Sequence, residues 1–188
     1  MNEHLEPIFR IVLPRMQAAR IEYWVYGGFG YAAMVGKFYR QEPNGDLDIF
    51  VLNDNFEDVE KLLEDLCKQN NWTICKSCIA SGRPKLELFI GRKERFSVMP
   101  VYKTEKYVEI KSPKGSKKYP LEVLTPVERH LESLTFVTPL DYFLKELLLD
   151  YFSSKKKYPR KRIEDARYIL TKEEFAKFYP NEDYVQNI

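Results

Sequence analysis

Between Tyr26 and Val51 the chain reads YGGFGYAAMVGKFYRQEPNGDLDIFV. A glycine cluster follows an apolar run, and two aspartates, Asp46 and Asp48, stand two residues apart at the start of another. Two nucleotide-binding architectures use such parts. In the first, Gly28-Phe29-Gly30-Tyr31-Ala32-Ala33 is a G-x-G-x-x-A dinucleotide fingerprint, with Asp48 twenty residues beyond Gly28. That architecture needs its acid at the carboxyl end of the second strand, beside a ribose hydroxyl. Here Asp46 and Asp48 precede Ile49-Phe50-Val51, only Asp54 follows them, and Pro43-Asn44-Gly45 interrupts the intervening helix. The order therefore disfavours a dinucleotide fold. In the second, residues i and i+2 of a strand share one face with Cα atoms roughly 6.5–7 Å apart, so both carboxylates converge on one Mg²⁺ or on two ions. Gly27 and Gly28 then offer backbone N–H groups to phosphate at a helix N-terminus.

Working outward, residues 4–20 have a helical pattern that Pro14 should kink or divide. Ile21–Tyr26 reads as a strand ended by a glycine turn, Phe29–Phe38 as a helix and Leu47–Leu52 as a strand. Residues 55–69 form an amphipathic helix with Phe56, Val59, Leu62, Leu63 and Leu66 on one side. Strand-like runs follow at 72–79, 85–90, 95–102 and 106–111, then helices at 139–152 and 160–170. The expected class is α+β: a mixed sheet flanked by helices, with a core over 1–135 and a helical C-terminal subdomain over 136–188.

The Gly27-Gly28 turn, the helix and Gly45-Asp46-Leu47-Asp48-Ile49 resemble the signature of the nucleotidyltransferase superfamily, the polymerase-β-like fold. Arg40 ahead of the aspartates resembles the small-molecule branch of that superfamily. So do Thr138-Pro139-Leu140-Asp141-Tyr142-Phe143-Leu144-Lys145 and Lys161-Arg162-Ile163-Glu164-Asp165. The nearest company is the small bacterial antibiotic nucleotidyltransferases and toxin-type relatives. The resemblance implies Mg²⁺-dependent transfer of a nucleoside monophosphate, AMP from ATP or its counterpart from another triphosphate, onto a hydroxyl of a small acceptor. Asp46 and Asp48 would be the metal ligands, and Gly27, Gly28, Arg40 and Lys145 would meet the phosphates.

Two positions depart from the pattern. The third carboxylate is expected in Arg95-Phe96-Ser97-Val98, where Ser97 stands, and Glu87 is the strand-borne acid placed to substitute. The first acid of the later K-D-x-x-D segment is replaced by Arg162. A silent, partner-binding member of the fold and an enzyme acting on tRNA therefore stay open beside the small-molecule enzyme. For RNA, the basic run Lys155–Arg162 offers phosphate contacts and Tyr158 a stacking surface.

The remaining chemistry is sparse. Cys75-Lys-Ser-Cys78 lacks a second ligand pair, and His4 and His130 are the only histidines, His130 reading as a helix-face residue. Three cysteines cannot all pair within one chain, which suits a reducing, cytoplasmic setting. No secretory leader and no bilayer-length apolar run is expected, and a net charge of +2 supplies no global field for nucleic acid.

Overall fold

Leu47, Ile49 and Val51 are wholly buried, while Asp46 and Asp48 between and before them are half-buried. This two-residue alternation builds the strand β2 (Leu47–Leu52) and gives the sheet one apolar face and one face that carries acids. The structure is a computed structural model that describes residues 3–42, 44–78, 84–112, 115–154 and 160–180. Among these, seven strands form a mixed sheet. Its main path runs β1 (Tyr23–Tyr26), β2, β5 (Lys93–Lys103), β4 (Pro84–Ile90), β3 (Thr73–Cys78). β6 (Val108–Ser112) pairs with the far end of β5, and β7 (Gly115–Tyr119) pairs with β6. β2 and β5 are parallel; the other described pairings are antiparallel. A separate hairpin, β8 (Val127–Leu131) with β9 (Leu134–Thr138), runs across residue 135 and precedes the C-terminal helices.

The apolar face packs under α1 (Leu13–Ala18) and α3 (Phe56–Asn70), whose Phe56, Val59, Leu63 and Leu66 join Leu47, Ile49 and Val98 in one core. α3 opens with Glu57 and Asp58 and closes on Asn71 in the left-handed conformation, as the helix dipole and a C-terminal cap favour. On the other face Trp24, Phe50, Val101 and Phe143 make a second cluster. α2 (Gly27–Val35) lies between the sheet and the C-terminal helices α4 (Asp141–Ser154), α5 (Arg160–Ile169) and α6 (Lys172–Phe178). Tyr31 of α2 packs with Leu144, Leu148, Ala166 and Phe175 of those three. Gly30 permits this packing, since a Cβ there would meet Leu144 at 3.2 Å and the Val25 carbonyl oxygen at 3.3 Å.

The α+β class holds, and four expectations are corrected. Gly27 and Gly28 do not form a turn ahead of the helix; they are its first residues, and the helix ends at Val35, capped by Gly36, rather than at Phe38. Pro14 falls in the first turn of α1, and the stretch before it (Ile8–Val12) is π-helical and runs on into α1 without leaving the helical region. His130 lies on β8, not on a helix, with Nδ1 3.1 Å from the Thr135 hydroxyl. β7, β8, β9 and α6 are additional elements. Of the basic run Lys155–Arg162, residues 155–159 lie outside the described residues.

Phe29 touches Phe9, Phe38 and Phe136, with ring centroids at 5.5, 5.4 and 6.3 Å. It thus ties the N-terminal stretch, the segment after α2 and β9 to one point. Phe29→Ala is expected to cost about 3–5 kcal/mol in chemical denaturation.

Candidate active site

The register across the sheet places Tyr26, Asp48, Ser97, Glu87 and Cys75 in one row on adjacent strands. Asp48 is thus the strand neighbour of Ser97, and Glu87 lies one strand further, its Cα roughly 10 Å from that of Asp48 at ordinary strand spacing. Asp46 shares the face of Asp48. Gly27, at φ +65°, comes so close that a Cβ would sit 2.6 Å from Asp48 Oδ2. The first turn of α2 and the acidic strand therefore meet directly. Burial first, and then the charge of Asp46, push the Asp48 carboxyl up to about 7, with Arg162 and Lys85 pulling the other way.

Gly28 meets different neighbours. A Cβ there would collide with the Arg40 guanidinium and the Asn44 side-chain oxygen, which are hydrogen-bonded to each other. Arg40 also donates from Nε and Nη2 to the two oxygens of Asp165, at 2.7 and 2.6 Å. Asp165 is fully buried on α5 and accepts two more bonds, from the Tyr39 hydroxyl at 2.9 Å and from Arg162 Nη1 at 3.1 Å. A buried carboxylate is tolerable only with such saturation; removing one partner of a buried pair costs about 3–5 kcal/mol. The knot fixes the loop leading to the aspartates. His4 Nε2 lies 2.7 Å from the Asn44 carbonyl oxygen, and Arg95 donates to the Gly45 carbonyl at 3.0 Å.

The structure brings Asp46, Asp48, Gly27, Gly28 and Arg40 together. Lys145 has another partner, Glu174 of α6, at 2.8 Å. Glu87 shares the acidic face, but its oxygens are taken by Lys85 Nζ at 2.6 Å and the Ser77 hydroxyl at 3.2 Å. Lys85 also pairs with Glu94 at 2.9 Å. Ser97 is fully buried, and among the described residues its hydroxyl has no hydrogen-bond partner. Four contributors were not singled out from sequence: Asn44, Lys85, Glu94 and Asp165. Asn44 was legible only as a turn former, and Lys85 and Glu94 as ordinary strand-flanking charges. Asp165 was legible only through the resemblance of its segment.

Residues 9–86 match the family model for aminoglycoside-2''-adenylyltransferases. No curated protein matches the chain in sequence. Among solved structures, the lincosamide antibiotic adenylyltransferase LnuA with lincomycin bound is 17% identical, over 82% of this chain and 89% of that one, with a TM-score of 0.59. ANT(2'')-Ia in complex with adenylyl-2''-tobramycin is 14% identical over 93% and 88%, at 0.61. Its solution structure is 14% identical over 96% and 91%, at 0.62. The fold is that of the nucleotidyltransferase superfamily.

Against this nucleotidyltransferase fold, the donor set can be tested for a metal. Two hard carboxylates, one of them raised toward neutrality by burial and by the charge of the other, would suit a single Mg²⁺, with phosphate oxygens and water supplying its remaining ligands. Among the described residues no group of three or more His, Cys, Asp or Glu side chains is arranged to hold an ion by itself. Ser97 leaves the third carboxylate position in the row without an acid.

The raised Asp48 carboxyl sets a pH dependence. A folded-state pKa near 7 against an ordinary value of 3.8 means this group favours folding fully below about pH 4 and loses that contribution as pH rises through 7. Metal-free Asp48→Asn is therefore expected to be more stable than the parent above pH 7, by on the order of 2 kcal/mol. The gap should close toward pH 4, as read by denaturation at a series of pH values.

Proposed function

We propose that the chain is a nucleotidyltransferase that moves a nucleoside monophosphate, AMP from ATP in the simplest case, onto a hydroxyl of a small acceptor with the help of Mg²⁺. The observation that carries this reading is the apposition of Gly27 and the Asp48 carboxylate, with Asp46 alongside. It sets the N–H groups of a helix N-terminus beside a pair of hard oxygen ligands, the two halves of a triphosphate site. Asp46 and Asp48 would hold the ion. When bound, Mg²⁺ would neutralise triphosphate charge and lower the pKa of the attacking hydroxyl. The backbone of Gly27 and Gly28 would orient the phosphates, with Arg40 held by Asp165 just behind Gly28. Glu87 is the proposed third carboxylate and would have to leave Lys85 to serve.

The small-molecule acceptor is supported by the antibiotic-bound relatives rather than by a pocket seen here. A tRNA acceptor would draw on the exposed Arg160 and Lys161, whereas Arg162 of the same basic run Lys155–Arg162 packs against Tyr31 and Tyr151. A silent member of the fold is favoured by one observation, the replacement of the third acid by Ser97 with Glu87 neutralised by Lys85.

The test is incubation with Mg²⁺, ATP and a panel of aminoglycosides and lincosamides, reading pyrophosphate release and the mass of the acceptor. An acceptor gaining one AMP is expected, with Asp46→Asn and Asp48→Asn each lowering turnover by roughly 100-fold or more. Triphosphate binding without product for any acceptor or with water would favour the silent reading. Ser97→Asp adds an acid beside Asp48. It is expected to lower the melting temperature of the metal-free protein, and to raise the increment that Mn²⁺ plus a non-hydrolysable triphosphate gives above that of the parent.

A further inference from the structure

Arg162 takes a position where the family pattern carries an acid, and its surroundings give it a use. Its guanidinium lies over the rings of Tyr31, at 5.9 Å, and Tyr151, at 5.0 Å, and donates one bond to the buried Asp165. Two aromatic faces and one carboxylate fix the plane of the group, so little rotamer freedom remains to be lost on binding. Tyr31 sits one turn beyond Gly27 on α2, which brings Arg162 to the helix end that abuts Asp48. Asp48 and Arg162 are within Coulombic reach of each other. Among the described residues Nε and Nη2 of Arg162 make no hydrogen bond, and the side chain is 19% exposed. Arg162 thus brings a rigidly held guanidinium, two of whose nitrogens make no hydrogen bond among the described residues, to the end of α2 where Gly27 meets Asp48.

We infer that Arg162 is the phosphate clamp of this site, binding the β- and γ-phosphates of the nucleoside triphosphate that Asp46, Asp48 and the first turn of α2 receive. The inference rests on the proposed triphosphate site. Planar guanidinium is the side chain suited to two parallel bonds to phosphate oxygens, and here its orientation is set before the ligand arrives. It takes the role that the sequence offered to Lys145, whose ammonium is engaged with Glu174. No covalent step belongs to Arg162. It stabilises charge that stays with the leaving pyrophosphate.

The test compares affinities for Mg²⁺-bound non-hydrolysable ATP and for AMP by calorimetry, in the parent, Arg162→Met and Arg162→Lys. Melting curves check that each variant is folded. Arg162→Met is expected to weaken the triphosphate by roughly 10- to 100-fold while leaving AMP within about twofold, and Arg162→Lys to fall between, since charge without the fork is kept. Equal triphosphate affinity in parent and folded Arg162→Met would overturn the clamp and leave the triphosphate site standing. Equal losses for ATP and AMP would also overturn it, assigning Arg162 to the shape of the site. Should Arg162→Met not fold, the Arg162→Lys ratio of ATP to AMP affinity decides alone, an unchanged ratio overturning the clamp. A parent that binds no triphosphate would remove the site itself, and the clamp with it.

Discussion

The Asp48 carboxylate fills the space that a Cβ on residue 27 would need, and most of the site's architecture follows from that crowding. Residue 27 must be glycine on two counts, its neighbour and its positive φ. The contact depends on register: Asp48 pairs with Tyr26 on β1, so a slip of one residue would present Leu47 or Ile49 to the helix end and drive the acids into the core. Because the core side of β2 is wholly buried, that slip is heavily penalised, and apolar packing on one face holds polar chemistry in place on the other. Strand spacing sets Asp46 beside Asp48, and burial together with that second charge raises the Asp48 carboxyl.

A second constraint operates from the C-terminal helices. Asp165 gathers Arg40, Arg162 and Tyr39 around one buried carboxylate, and Arg40 in turn holds Asn44 beside Gly28. Apolar side chains of similar volume would give comparable stability at such a point; what the polar knot adds is direction. Each bond has one geometry, so the loop carrying the acids is fixed relative to α5 more narrowly than packing alone would fix it. Arg162 is anchored by the same carboxylate.

The parts legible in the sequence were those governed by local periodicity. Leu47–Leu52 and Phe56–Asn70 show their strand and helix patterns residue by residue, and the G-D-L-D spacing alone implies two acids on one face. The glycines at the start of α2 misled, because glycine is a poor helix former and its place here is decided by the Asp48 carboxylate opposite. Val127–Leu131 carries Glu128, Arg129 and His130 in succession and gives no clean alternation, so β8 emerges only through its pairing with β9. β7 is a run of small and charged residues exposed along most of its length, a strand by virtue of β6 alone. The partners of Arg40, Glu87 and Lys145 were out of reach for the same reason: each is chosen by tertiary proximity, and nothing in the flanking residues names it.

The bonds between Arg40 and Asp165 join residues 125 positions apart. Closing so long a loop is entropically slow, and until it closes the guanidinium behind Gly28 has no carboxylate to meet. During synthesis β1, α2 and β2 emerge early, yet Arg40 meets its carboxylate only once α5 has left the ribosome and docked. The Arg40–Asp165 brace therefore waits on α5: a polypeptide released before it would retain every acid of the G-D-L-D strand and lack that brace.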